Sequence, residues 1–405
     1  MIIEDVDLGS NSSRKINLMR VLHVVSSLDA RKGGPAVAVT GLARAQKRQG
    51  MQVGIFNAFG ENESNAIADE LRDEGIEVTL IGPCPRFGKG AKLIRPELDR
   101  CIAACDIVHI HALWEQVQHQ AARSACARDV PYVFRPCGML DPWSLSQGWL
   151  KKKIYLMMRL TRDLNHAAAL HYTAEDERDL ASPLKLKPRA IVEPNGINLE
   201  EFDDLPDPSA FRNKWPQIAG RRIILFLSRL HHKKGLDLLI PAFAKARLDN
   251  CVLIIAGPDN DDYLPVVRQL IEEHQLQNDV ILTGILRGRD RIEAMSAAEL
   301  FVLPSYQENF GIVVVEALAS GTPVIISDQV NIHREITAAQ VGGVVPTQIT
   351  PLAGMLGLWM NDDHRRAQAR IKARSFALRT FDWNQAAAHW AGHYEAIRIS
   401  STSSA

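Results

Sequence analysis

The stretch SYQENFGIVVVEALASGTP, Ser305 to Pro323, sets two carboxylates, Glu308 and Glu316, eight positions apart around a glycine and an apolar run. A helix brings acids together at three or four residues and a strand at two, so a spacing of eight fits neither. The backbone must therefore change character between them. LFVLPS, immediately before, reads as a strand; Gln307 to Phe310 then form a turn, and Gly311 opens a helix running to about Ala319. Glu308 lies on the loop and Glu316 on the second helical turn. In open α/β sheets ligands bind beyond the carboxyl ends of the strands, where a loop acid and a helix acid can address two ends of one molecule. Between them, the amides of Phe310, Gly311 and Ile312 and the helix dipole suit a phosphate, and a glycine admits it closely. A ligand with hydroxyls at both ends and phosphates in the middle is a sugar nucleotide. The plainer reading stays open here: Glu308 favours the helix start, and Glu316 is a solvated acid.

The surrounding chain repeats the same strand-to-helix unit. RVLHVVSS, QVGIFNAF, IEVTLIG, DIVHIHA, PYVFRP and ALHYTA read as strands, separated by helix-length segments such as Ala36 to Gln49 and Glu115 to Arg128. The alternation restarts with RIILFLS, CVLIIAG, DVILTG, LFVLPS and PVIISD, with helices opening near Gly235, Asp261, Arg289, Ile312 and Asn331. Near-continuous apolar strands joined by amphipathic crossovers indicate parallel sheets covered on both faces. Between the two series, Leu199 to Gly220 is rich in proline and acid and marks a domain junction. The expected organisation is an extension over 1–18 without structure, a domain over 19–198, a second over 199–380, and a closing helix over 381–400. That helix carries Trp383, Ala387, Trp390 and Tyr394 on one stripe and must pack on a finished core.

Composition narrows the function. The chain has 405 residues, room for two cores, and 47 basic against 47 acidic side chains, so no overall field favours nucleic acid. Six cysteines form no Cys-x-x-Cys, which argues against a disulfide framework or zinc knuckle and for a reducing, cytoplasmic setting. The first eighteen residues lack the apolar core of a secretory signal, and no apolar run reaches the ~18 residues of a membrane span. No Gly-x-Gly-x-x-Gly follows the first strand, which disfavours a dinucleotide oxidoreductase, and GPCPRFGKG has the wrong spacing for a phosphate loop.

After the strand RIILFLS, the segment SRLHHKKGLDLLI offers Arg229 and Lys234, counter-charges for a diphosphate. Ser-Arg-Leu, Lys-Gly and PSYQENFGIVVVEALASGTPVI taken together resemble the retaining glycosyltransferases of glycosyltransferase family 4, over roughly Met19 to Ile397. The resemblance implies the GT-B fold: two Rossmann-like parallel-sheet domains facing across a cleft, with a C-terminal helix crossing back to the first domain. It implies Arg229 and Lys234 as diphosphate ligands, Glu308 as holder of the donor sugar's hydroxyls, Glu316 as the ribose ligand, and Leu286 in the nucleobase pocket. Within the same block, Asn309, Phe310, Gly311 and Ile312 belong to the donor site.

In the first half, ARKGGPAVAV resembles the family's glycine loop, through Gly33 and Gly34. DIVHIHALW ends a strand with His109 and His111 on one face. A metal can use that spacing, but no third ligand stands at a recognisable distance, so no metal site is expected. By resemblance His111 is the active-site histidine, grouped with Glu308, Arg229 and Lys234 as catalytic, while His109 is core packing. PNGIN resembles the family's turn at the domain junction, and FRPCGMLDPWSL resembles a subgroup in bacterial surface-polysaccharide assembly, with Cys137 where histidine is common.

The expected activity is retaining, metal-independent and cofactor-free transfer from a nucleotide sugar, UDP- or GDP-linked as in the family, to a carbohydrate or lipid-linked saccharide. A glycosidase would leave Arg229 and Lys234 without purpose; a non-hydrolysing sugar-nucleotide epimerase shares the fold class and stays open as the alternative. Peripheral contact at the inner face of a membrane is a further expectation. In GWLKKKIYLMMRLTRDL, Leu150, Ile154, Met157 and Leu164 share a helical face, while Lys151 to Lys153, Arg159 and Arg162 supply positive charge.

Overall fold

Among the described residues, thirteen short strands alternate with helices. They are β1 (Arg20–Val25), β2 (Gln52–Ala58), β3 (Glu77–Ile81), β4 (Ile107–His111), β5 (Tyr132–Arg135), β6 (Ala169–Tyr172) and β7 (Arg189–Val192), followed by β8 (Arg222–Leu227), β9 (Cys251–Ala256), β10 (Val280–Gly284), β11 (Leu300–Leu303), β12 (Val324–Ser327) and β13 (Gly342–Val345). These come from a computed structural model that describes residues 19–29, 31, 34–84 and 90–402. The extension over 1–18, Gly33 and the side chain of Lys151 lie outside what it describes.

The chain forms two compact units. One holds residues up to Gly196 together with those from Trp383 onward; the other is Ile197–Asp382. The first contains a parallel seven-stranded sheet in the order β3-β2-β1-β4-β5-β6-β7, the second a parallel six-stranded sheet in the order β10-β9-β8-β11-β12-β13. In each, the strand order reverses beside the first strand, so β1/β4 and β8/β11 are the switch points at whose carboxyl ends α/β proteins hold their ligands. β4, β9, β11 and β12 are buried at every position, as strands covered on both faces must be. β7 and β13 escape sequence reading for a physical reason: RAIV is a half-exposed edge strand, and GGVV begins with two residues of low strand preference.

The closing helix, Trp383–Thr402, belongs to the core of the first unit, where Trp383, Trp390, Tyr394 and Ile397 pack with Val39, Leu42 and Met51. Gly41 makes the approach possible: a Cβ there would lie 2.3 Å from Trp383 Nε1.

The basic segment departs from the sequence expectation. A helix over Trp149–Tyr155 passes into a π-helical turn, Leu156–Leu160, before Thr161–Asn165. The wider turn shifts the helical register, so Leu164 does not share a face with Met157; it is fully buried in the core together with Leu160.

Candidate active site

In the second unit, chain topology gathers the cationic loop and the acidic loop at one switch point. Arg229 lies two residues beyond the end of β8, and a 3-10 turn, His232–Lys234, ends on Gly235 in the left-handed region at φ 74°. A Cβ on Gly235 would sit 2.1 Å from the carbonyl oxygen of Pro304, the residue after β11. This close approach presses the Lys234 loop onto the end of the neighbouring strand. Tyr306 N donates to Lys233 O at 2.8 Å, Lys233 Nζ donates to Gln307 Oε1 at 2.7 Å, and Lys234 Nζ donates to Glu308 Oε2. The last pair is mostly buried, with 13% and 20% of the side chains exposed.

Glu308 is held by its backbone as well. Its N–H donates to Gln329 O at 3.0 Å, and its carbonyl accepts from Asn331 N at 3.1 Å. Burial by itself pushes the Glu308 carboxyl up, but Lys234, Lys233 and Arg229 outweigh it and hold the group below the usual carboxylate range. It is therefore a carboxylate at neutral pH, able only to accept hydrogen bonds. Asn309 Oδ1 accepts from Asn331 Nδ2 at 3.3 Å, and Phe310 is buried edge-on against Phe381. Gly311, at φ 72°, is the N-cap of the helix Ile312–Ala319. The first amides of a helix lack intrahelical partners and carry the positive end of its dipole.

Glu316 lies farther along that helix and faces a different partner. Arg291 donates to it at 2.9 Å while also reaching Glu201 at 2.7 Å. Burial pushes the Glu316 carboxyl up to about 7; Arg291 opposes the rise and Glu201 adds to it. Leu286 is half-buried on the loop between β10 and the helix Gly288–Ala297, which carries Arg291.

The first unit holds the other candidates. Gly34 opens the helix Gly34–Arg48 after β1, with open space where a Cβ would stand. His111 ends β4 and is buried, with Nδ1 lacking a partner among the described residues. Beside it in register is Arg135 of β5, 2% exposed, whose Nη2 donates to Asn195 Oδ1 at 2.5 Å, while Nε and Nη1 have no partner among the described residues. The expectation of no third ligand near His109 and His111 is corrected here. Parallel pairing of β1 with β4 sets His23 opposite His109, and ring nitrogens of His23, His109 and His111 all lie within 4.8 Å of one another.

Arg229, Lys234, Glu308, Asn309, Phe310, Gly311 and Ile312 thus gather at the β8/β11 switch point, with Glu316 and Leu286 elsewhere in the second unit; Gly34 and His111 belong to the first. Sequence reading misses His23, Arg135, Lys233, Arg291 and Glu201. FRPCG and PNGIN do contain the Arg135–Asn195 pair, but nothing in either segment announces that the two side chains meet.

The glycosyl transferase 4-like domain family matches residues 33–196, and the family of glycosyl transferases group 1 matches residues 208–376. An uncharacterized glycosyltransferase of Methanocaldococcus jannaschii is 30% identical over 339 residues, covering 77% of this chain and 80% of that protein. The GDP-mannose:cellobiosyl-diphosphopolyprenol alpha-mannosyltransferase of Xanthomonas campestris is 25% identical, covering 93% of this chain and 97% of its own length. Among solved structures, Anabaena Alr3699/HepE in complex with UDP superposes with a TM-score of 0.78 at 20% identity, over 93% of this chain and all of that one, a likeness of fold. The two parallel-sheet units are those of the GT-B architecture, and the chain belongs to the group 1 glycosyltransferases.

Proposed function

We propose that this chain moves a sugar from a nucleoside diphosphate sugar to a hydroxyl acceptor with retention of configuration and without a metal ion. The observation that carries the reading is the Lys234–Glu308 pair at the β8/β11 switch point, beside Arg229 and the helix start at Gly311. Two cations and a helix N-terminus supply the charge that a departing diphosphate needs. Glu308, kept ionised by those cations, accepts hydrogen bonds from the sugar hydroxyls. The bond from the anomeric carbon to the phosphate oxygen breaks while the acceptor oxygen bonds on the same face, and the leaving phosphate takes the acceptor's proton. A screen of UDP-, GDP- and ADP-sugars by thermal shift identifies the base, because bound donor stabilises by mass action. Proton NMR of the first product from an α-linked donor in EDTA then tests the chemistry. An α-linked product is expected; a β-linked one refutes retention, and activity lost to EDTA but restored by magnesium or manganese refutes the metal-free assignment.

Glu316 is the proposed ribose ligand, and its raised carboxyl sets a pH dependence. A carboxylate accepts from both ribose hydroxyls, whereas the protonated acid does not, so donor binding requires loss of the proton. Affinity is then flat above about 7 and falls below it, by up to about tenfold per pH unit for a single proton. The sugar nucleotide's diphosphate has no ionisation near neutrality to imitate this. Calorimetric titration should give about tenfold weaker donor binding at about pH 6 than at about pH 8, and Glu316→Gln should bind weakly with no such slope. Equal affinity at both pH values in the wild type rules out Glu316 as the ribose ligand.

The acceptor is proposed to be lipid-linked and met at an anionic bilayer surface. Trp149, Leu150, Ile154, Met157 and Met158 are 49% to 75% exposed, and Lys153, Arg159 and Arg162 are exposed beside them. Interfacial helices combine apolar and basic side chains in this way, with about 1 kcal/mol of attraction per basic residue near an anionic surface. The Xanthomonas relative's acceptor is named as a diphosphopolyprenol. Among the described residues no helix is long and apolar enough to cross a membrane, so contact would be peripheral. Vesicles containing anionic lipid should float the protein at low salt, and Lys153→Gln/Arg159→Gln/Arg162→Gln should stay at the bottom. Wild-type protein that does not float, or a triple variant that floats equally, ends this assignment.

A further inference from the structure

A run of hydrogen bonds crosses the interior of the first unit. His171 Nε2 lies 2.9 Å from the backbone carbonyl of Glu193, and His171 Nδ1 lies 3.1 Å from His109 Nε2. His109 Nδ1 is 2.6 Å from the Tyr394 hydroxyl, to which Gln46 Nε2 donates at 3.3 Å. Gln46 Oε1 is 2.7 Å from His23 Nε2, and His23 Nδ1 is 2.9 Å from His111 Nε2. All these side chains are buried, and they come from β1, β4, β6 and two helices.

One end of the run dictates the direction of every bond. A carbonyl oxygen can only accept, so His171 Nε2 carries a proton and, in a neutral ring, Nδ1 accepts. His109 must then donate from Nε2 and accept at Nδ1, which makes the Tyr394 hydroxyl the donor there. The Tyr394 oxygen is left to accept from the Gln46 amide, whose Oε1 accepts from His23 Nε2–H. His23 Nδ1 accepts in turn, and His111 donates from Nε2. No other arrangement of neutral rings satisfies all six bonds. Neutrality follows from burial: desolvation lowers His23 to about 4 and His109, His111 and His171 well below their ordinary value, with the Arg135 charge opposing protonation of all four.

We propose that this polarised chain holds His111 as the neutral Nε2–H tautomer, leaving Nδ1 as a bare acceptor for a substrate hydroxyl, with His23 and Tyr394 as positioning residues. Once the six bonds are assigned, Nδ1 of His111 is the ring nitrogen left without a partner among the described residues. The acceptor role rests on the assignment of His111 to the active site; the tautomer does not. The closing helix thereby does more than fill the core, because Tyr394 is the link between His109 and Gln46. A metal ion shared by His23, His109 and His111 is the competing use of the same nitrogens, since it would need lone pairs that the chain already employs.

The test is a long-range nitrogen–proton spectrum of histidine-labelled protein, with the His111 signals assigned by comparison with His111→Ala. Wild type should show a protonated Nε2 and an unprotonated Nδ1 on His111 at neutral pH, with Nδ1 shifting when a non-reactive donor analogue binds. His23→Leu removes the acceptor and should give a mixture of His111 tautomers, with kcat lower by about 10- to 100-fold and donor KM within about threefold. His23→Gln keeps an acceptor towards His111 and a donor towards Gln46, and should restore both the single tautomer and kcat to within about fivefold. If His23→Leu does not fold, Tyr394→Phe cuts the chain at its centre and should give the same mixture. A proton on Nδ1 or an imidazolium in the wild type, a stoichiometric metal ion on these rings, or a single unaltered His111 tautomer in His23→Leu or in Tyr394→Phe overturns the proposal. Full activity in His111→Ala refutes instead the assignment of His111 to the active site and leaves the tautomer result standing.

Discussion

Lys234→Ala and Arg229→Ala should each lower kcat by about 30- to 1000-fold, the equivalent of about 2 to 4 kcal/mol of transition-state stabilisation. In the proposed reaction the diphosphate gains charge only as its bond to the sugar breaks, so a cation beside it would act more strongly on turnover than on donor binding. Lys234 carries a second effect. Burial pushes the Glu308 carboxyl up, and Lys234 is the strongest of the charges that hold it down. Without the lysine, the Glu308 carboxyl titrates higher than in the wild type, and its acceptor function is lost at a higher pH. The acid limb of the pH profile of Lys234→Ala should therefore lie at higher pH than that of the wild type. Glu316→Ala should act mainly on donor KM, because ribose hydroxyls do not change charge in the reaction. Steady-state kinetics on the folded fraction of each variant decides the matter. Equal losses of kcat from Arg229, Lys234 and Glu316 variants would sink the division of roles.

Gly235→Ala should destabilise the second unit by about 2 to 5 kcal/mol. About 1 to 2 of this is the cost of an L side chain in the left-handed region, and about 1 to 3 comes from forcing a methyl against packed atoms. The methyl would meet the Pro304 carbonyl at 2.1 Å, and that carbonyl follows β11 in the middle of the sheet, where it cannot retreat without moving the strand. Gly220 supplies the control: its φ is 71°, nearly the same, and a Cβ there meets nothing within 4 Å. Gly220→Ala should cost only the backbone share. Chemical denaturation of the two variants side by side separates the terms, and equal midpoints would show that the Lys234 loop does not press on the end of β11. Because that contact delivers Lys234 to Glu308, Gly235→Ala should also lose activity at temperatures where it remains folded.

The strands most readable from sequence are those buried on both faces. CVLIIAG and LFVLPS announce themselves because every side chain faces a core, and both lie inside the second sheet. RAIV and GGVV, at the sheet edges, carry half the apolar signal and were invisible. The basic segment was read at a constant helical period; a single π-turn, which local sequence does not specify, sends Leu160 and Leu164 into the core and leaves Met157 and Met158 outside. Glu308 and Glu316 were legible as a pair because their loop and helix are contiguous. The partner of Glu316 was not, since Arg291 comes from another strand-to-helix unit and is shared with Glu201.

Sequence alone determined the two series of parallel strands and the residue types available to meet a ligand, because period, turn chemistry and charge are properties of short segments. Only the tertiary structure decided which of those residues touch. Lys234 and Glu308 are seventy-four positions apart and meet because β8 and β11 are neighbours in a sheet whose order no local segment encodes. His23 meets His111, eighty-eight positions on, because β1 pairs with β4 in a register set by the burial of both faces. Tyr394 reaches His109 because a helix at the far end of the chain completes the core of the first unit. Contacts of this kind depend on strand order and register, which are fixed by how the whole set of apolar faces can be buried at once.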